Sequence, residues 1–153
     1  MKIAGYSIIE LLVVMTVLGI LATAAMPLME LTARRTKERE LKLALHEIRR
    51  AIDEYKRLYD AGRIAKISSV NGYPSSLQVL ANGVPDAGGG PTIYFLRRIP
   101  KDPFAAREVP AELSWGLRSY FSSAEQPQAG VDVYDIYSTV PGVGINGIPY
   151  RKW

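Results

Sequence analysis

The sequence predicts an α+β protein in which one long amino-terminal helix, transmembrane at first and amphipathic after, packs on a small antiparallel β-sheet head. Three observations predict it. No charged side chain occurs from Leu11 to Met29, a run close to the ~20 residues a helix needs to cross ~30 Å of hydrocarbon. Leu41, Leu45, Ile48, Ile52, Tyr55 and Tyr59 then recur at spacings of three and four, with Lys42, Glu47, Arg49, Arg50 and Glu54 between them, which is the pattern of one buried helical face. Beyond Gly62 the helical period stops, and short alternating runs bounded by Gly, Pro, Asn and Asp take over.

Residues 1–5, Met1-Lys2-Ile3-Ala4-Gly5, form a short, weakly basic start. Residues 6–30 read as the spanning helix. Thr16 and Thr23 can hydrogen-bond back to its backbone, and Gly19 and Pro27 are tolerated there. Pro27 removes a backbone donor, which predicts a kink near Thr23. Residues 31–61 continue the helix amphipathically to a stop at Ala61-Gly62. A single helix from Tyr6 to about Asp60 would be roughly 80 Å long at ~1.5 Å per residue.

Residues 62–153 form the head. Asn71-Gly72 and Tyr73-Pro74 mark a turn, and Ser75 or Ser76 caps a short helix through Leu77 and Leu80. Asp86-Ala87-Gly88-Gly89-Gly90-Pro91 reads as a flexible loop and Pro100-Lys101-Asp102-Pro103 as another turn. Two strands follow. Trp115 to Phe121 places Trp115, Leu117, Ser119 and Phe121 on one face; Val131 to Ser138 places Val131, Val133, Asp135 and Tyr137 on one face, with Tyr134 and Ile136 on the other. Thr139 to Trp153 reads as an ordered tail on the sheet. A head of about 90 residues is near the lower limit for a core of its own, so the amphipathic helix is expected to complete it.

Composition narrows the function. With 48% hydrophobic and 22% charged residues the chain is a folding one, and it has no cysteine, so disulfides and thiolate metal sites are excluded. The net charge of +4 does not point to nucleic acid. Basic residues alternate with acidic ones, as in Arg34-Arg35-Thr36-Lys37-Glu38-Arg39-Glu40, and such a mixed helix face is a solvated one.

The informative stretch is Gly5-Tyr6-Ser7-Ile8-Ile9-Glu10-Leu11-Leu12-Val13-Val14. Glu10 is a lone carboxylate at the head of the spanning run, where an unpaired charge costs on the order of 2.5–3.5 kcal/mol. Cleavage after Gly5 would create a cationic partner, the α-amino group of Tyr6, one helical turn earlier. Within one chain that pair is poorly oriented. Between stacked subunits an ammonium can meet a neighbour's carboxylate and set the axial register of a head-to-tail polymer. An ordinary secretory signal, cut at Ala22-Thr23-Ala24, and a simple uncleaved anchor are the rival readings. Glu10 interrupts the run in the first and is unexplained in the second.

Gly5 followed by an aromatic residue, Ser7, Glu10, the Leu-Leu-Val-Val-Met run and Pro27 resembles the type IV pilin and type II secretion pseudopilin superfamily, with Tyr6 in place of the usual phenylalanine. The resemblance implies a prepilin leader, residues 1–5, cut by a prepilin peptidase between Gly5 and Tyr6. It also implies N-methylation of Tyr6 and the register role for Glu10. In the head, Asn71-Gly72-Tyr73-Pro74, Leu77 to Leu80, Ile99-Pro100-Lys101-Asp102-Pro103-Phe104, Tyr134-Asp135-Ile136-Tyr137-Ser138 and Trp153 resemble the major pseudopilins of type II secretion. The implied function is a structural subunit, self-assembling into a filament that drives protein export. Minor pseudopilins, an inner-membrane assembly platform, the peptidase and membrane lipid are the implied partners. A type IV or competence-type pilin is the alternative, and a secreted soluble protein a third. The implied location is the inner membrane of a Gram-negative bacterium, single-pass, with the head in the periplasm. Charge alone favours the opposite side, because Arg34, Arg35, Lys37 and Arg39 follow the span and only Lys2 precedes it.

Many major pseudopilins hold calcium in an aspartate-rich loop after the last strand. Here that loop, Thr139 to Gly147, has no carboxylate, and calcium favours carboxylate oxygens. Asp132 and Asp135 are the nearest candidates and read as strand-edge aspartates exposed to solvent, so no cofactor or metal is expected. Gly142-Val143-Gly144-Ile145-Asn146-Gly147 matches a dinucleotide fingerprint literally, but Pro141 precedes it and no βαβ unit surrounds it; it reads as a turn. His46, the single histidine, reads as a surface or boundary residue. No side chain has a recognisable base or orienting partner, so an enzyme is not expected.

Overall fold

Helix α1 spans Ile8–Asp60 and is built from strong helix formers over most of its length. The computed structural model describes residues 7–66 and 71–153, apart from the side chains of 24–27. Pro27 falls in that last group, so the kink expected there lies outside the described residues. At its start the Ser7 carbonyl accepts the N–H groups of Glu10 and Leu11, both at 3.1 Å. The hydroxyls of Thr16 and Thr23 bond back to Leu12 O (2.8 Å) and Ile20 O (2.7 Å), as do Thr32 and Thr36 further along. These bonds satisfy polar groups that an apolar surrounding leaves without water.

The helix ends as its sequence predicts. Gly62 takes φ +73, its N–H bonds to Tyr59 O (3.0 Å), and Arg63 N–H reaches back to Leu58 O (2.9 Å). This is the paired closure of a Schellman motif, in which glycine occupies the left-handed position without a Cβ penalty.

The chain divides into two compact units, Met1–Thr36 and Lys37–Trp153. In the second, the predicted stripe is the core. Leu41, Leu45, Ile48, Ile52 and Tyr55 are all buried, joined by Ala44, Ala51 and Leu58, while Tyr59 stays only partly covered. They meet Ile64, Leu77, Leu80, Val84, Leu96, Trp115, Val133, Ile136 and Tyr150 from the rest of the head. Each fully buried aliphatic side chain contributes about 1.5–3 kcal/mol. One polar atom in this core is out of place: among the described residues the buried Tyr55 hydroxyl has no hydrogen-bond partner, and burial raises its pKa. Tyr55→Phe removes a desolvated group and nothing else. It is therefore expected to leave stability unchanged or raise it by about 1 kcal/mol in a denaturant melt; a loss of that size would mean the hydroxyl is bonded.

Helix α2, Leu77–Asn82, buries Leu77 and Leu80 at an i, i+3 spacing. Ser76 occupies the N-cap position but its side chain makes no capping bond. Burial holds this short helix instead, together with the N–H groups of Phe95 and Leu96 on Leu80 O. The Asp86 loop, expected to be flexible, is a braced turn. Asp86 pairs with Arg63, accepts Gly88 N–H (3.0 Å), and is held below the ordinary carboxylate range by the Arg63 side-chain bond first and the Gly88 bond second.

Strands β1 (Trp115–Arg118) and β2 (Asp135–Ser138) pair antiparallel, with Trp115 opposite Ser138 and Arg118 opposite Asp135. Both are shorter than the alternation predicts. Past Arg118 the main-chain donors find other partners: Ser119 N–H goes to Gln128 O, Val133 N–H to Pro74 O, and Tyr120 N–H to the Asp132 carboxylate. Phe121, expected on the Trp115 face, is consequently 78% exposed. A two-stranded sheet is marginal alone, and Trp115 and Ile136 tie this one to the α1 stripe.

Candidate functional site

The amino-terminal unit presents an unpartnered apolar surface. From Ile8 to Leu21 every described large apolar side chain is exposed, as are Leu28 and Met29, and α1 is long and apolar enough to cross a membrane. Such a patch far exceeds what a soluble monomer leaves uncovered. Glu10 lies in the first turn of α1, is exposed, and has no ion-pair partner among the described residues. Gly5 and Tyr6 lie outside the described residues.

The two aspartates near the last strand are not the solvent-exposed edge residues expected. Asp132 is 2% exposed and accepts three bonds, from Asn71 Nδ2 (2.7 Å), Ser119 Oγ (2.8 Å) and Tyr120 N (2.9 Å). Burial raises its pKa, and these bonds outweigh that effect and hold it below its ordinary value. Asp135 is half-buried between two guanidiniums, Arg49 Nε at 2.8 Å and Arg118 at 3.2 Å. Among the described residues no group of three or more His, Asp or Glu is placed to hold a metal ion. Each carboxylate already accepts three hydrogen bonds from within the head, an arrangement that does not suit calcium.

The fingerprint-like run is a turn closed by a Val143–Pro149 bridge, and a three-residue 3-10 turn, Tyr150–Lys152, comes after it. A Cβ on Gly144 would lie 2.3 Å from Trp153 Cζ2, so this glycine makes room for an indole rather than a phosphate. His46 is exposed on α1.

Three polar anchors were not legible in the sequence. Glu38, 7% exposed, accepts Ile145 N–H (2.9 Å) and Tyr150 O–H (2.8 Å). Asp102, fully buried in the predicted Pro-Lys-Asp-Pro turn, accepts Phe104 N–H (2.8 Å) and the Ser138 hydroxyl (2.5 Å). Arg49 reaches the tail. A charged side chain inside the buried-stripe period is the only local signal, and Glu38, three residues before Leu41, carries it.

A helix that leaves its apolar length uncovered, with a folded α+β head on its second part, is the architecture expected of a pilin-like subunit and is consistent with membrane anchoring. The amino-terminal residues are specific on this point: residues 1–26 match the prokaryotic N-terminal methylation motif. That match supports the type IV pilin-like superfamily, whose subunits are structural, processed by a peptidase and assembled into filaments. No curated protein and no solved structure matches the chain significantly.

Proposed function

We propose that the chain is the major pseudopilin of a type II secretion system, a structural subunit without catalytic chemistry of its own. The observation that carries the filament part of this reading is the exposed apolar helix headed by Glu10 inside a methylation motif. In the inner membrane the precursor's helix is covered by lipid and its head lies in the periplasm. Hydrolysis of the Gly5–Tyr6 peptide bond releases the leader and leaves an α-amino group, which is then methylated. That ammonium pairs with Glu10 of a neighbour as the helices leave lipid and bundle, and growth of the filament pushes cargo outward. Minor pseudopilins and an assembly platform complete the machine. The resemblance of the head motifs around Tyr73-Pro74, Asp102-Pro103 and Tyr134 to Ser138 is what favours the major pseudopilin.

One observation favours a second reading, a type IV or competence-type pilin: the donor set after β2 does not suit the calcium that many major pseudopilins hold. Export by a strain lacking the gene separates the two. Loss of secretion with pili intact supports the first reading, and loss of pili or of DNA uptake supports the second.

Mass spectrometry of the mature protein tests the pathway itself. A chain beginning at N-methylated Tyr6 is expected. A start near Ala25 or Met26 would mean an ordinary signal peptide, and both filament readings would fall.

A further inference from the structure

We infer that the Arg49 guanidinium is the closing cation of the head, doing from within the chain what a bound divalent ion would otherwise do. Arg49 projects from α1 and donates Nε–H to Asp135 Oδ1 at 2.8 Å. One of its terminal nitrogens donates to Ile136 O at 3.1 Å and to the main-chain oxygen of Trp153 at 2.7 Å. A carboxylate and two main-chain oxygens, from β2 and from the end of the tail, therefore converge on one positive group. Convergent carboxylate and carbonyl oxygens are the surroundings calcium takes. Here they are oriented toward a planar fork of N–H donors.

The rest of the region agrees. The second oxygen of Asp135 accepts from Arg118, its cross-strand neighbour, so that carboxylate faces two cations already. Three donors already engage Asp132. The loop from Thr139 to Gly147 offers no carboxylate. Eleven residues earlier on α1, Glu38 holds the same tail through Ile145 and Tyr150, so the tail is fastened to one helix at two points of opposite charge. An exposed ion pair alone is worth little. Arg49 differs because two of its three acceptors are main-chain oxygens, each far from it in sequence, and its side chain is about one-third exposed. The consequence is a head whose closure does not depend on the calcium concentration outside the inner membrane.

The test uses the full-length protein in detergent micelles, with calcium chloride or EDTA as the probe. The wild type is expected to melt at the same midpoint in both, by tryptophan fluorescence. Arg49→Ala is expected to release the tail, so that trypsin cuts after Arg151 and Lys152 about tenfold faster or more, since charge-assisted bonds are lost. Arg49→Lys keeps the charge without the fork and is expected to fall between. A wild-type midpoint that rises with calcium would overturn the inference, because a metal would then be closing the head. So would wild-type cleavage rates in Arg49→Ala. Should that variant fail to fold, Arg49→Lys decides on the same readout: faster tail cleavage supports the inference, and an unchanged rate overturns it.

Discussion

Glu10→Ala is expected to enter the membrane as fully as the wild type and to form no filament. The two halves of that result have different causes. Insertion is driven by the apolar side chains that α1 leaves exposed from Ile8 to Leu21 and at Leu28 and Met29, and a carboxylate among them opposes it by on the order of 2.5–3.5 kcal/mol. Removing the charge therefore makes insertion easier. Polymerisation needs more than apolar surface, because burial of such surface is non-directional. It brings helices together without choosing how far one slides past the next. In the proposed assembly Glu10 makes that choice by pairing with a neighbour's α-amino group. Without it, that ammonium is left unpaired at every subunit contact in an apolar bundle. Alkaline carbonate extraction reads the first half, and sedimentation with electron microscopy reads the second. Normal filaments from Glu10→Ala would sink the register argument, while failure to insert would show that Glu10 acts earlier.

Asp132→Ala is expected to be the most damaging single change in the head. It leaves Asn71 Nδ2, Ser119 Oγ and Tyr120 N–H without their common acceptor, and a buried donor left unsatisfied costs ~1–3 kcal/mol. Water entering the cavity recovers part of this, so the net loss is about 3 kcal/mol against a typical total of ~5–15. That corresponds to a melting midpoint lower by roughly 10 °C. The same site sets an acid limb. The folded pKa of Asp132 lies below the unfolded one, so the stabilisation is fully present above the unfolded value. It is lost as pH falls from about 4 through the depressed folded value. The gap in melting midpoint between wild type and Asp132→Ala should therefore be smaller near pH 3 than at neutral pH. An equal gap between them at both pH values would show that the ionised carboxylate is not the source.

Much of this protein was legible before folding was considered, because the deciding physics is local. A run of uncharged residues from Leu11 to Met29 determines by length alone that the helix can span a bilayer. The three-and-four spacing from Leu41 to Tyr55 determines which face of α1 is buried, since the helical repeat carries that information along one segment. Gly62 stops the helix because a left-handed residue is needed there. The leader-like stretch through Glu10 reads from adjacent residues in the same way.

What only the tertiary structure decided are the features whose partners lie far along the chain. The strands end at Arg118 and begin at Asp135 because Tyr120 and Val133 give their N–H groups to Asp132 and Pro74, a competition that alternation does not encode. Asp132 read as an exposed edge residue and is buried, because its three donors come from two separate loops. Glu38 and Arg49 look like ordinary charges on a solvated helix face until the tail arrives more than a hundred residues later to cover them. A polar side chain is stable inside a protein only where its hydrogen-bonding partners are brought to it. Apolar burial is decided by period, whereas polar burial is decided by which distant segment supplies the matching donor or acceptor.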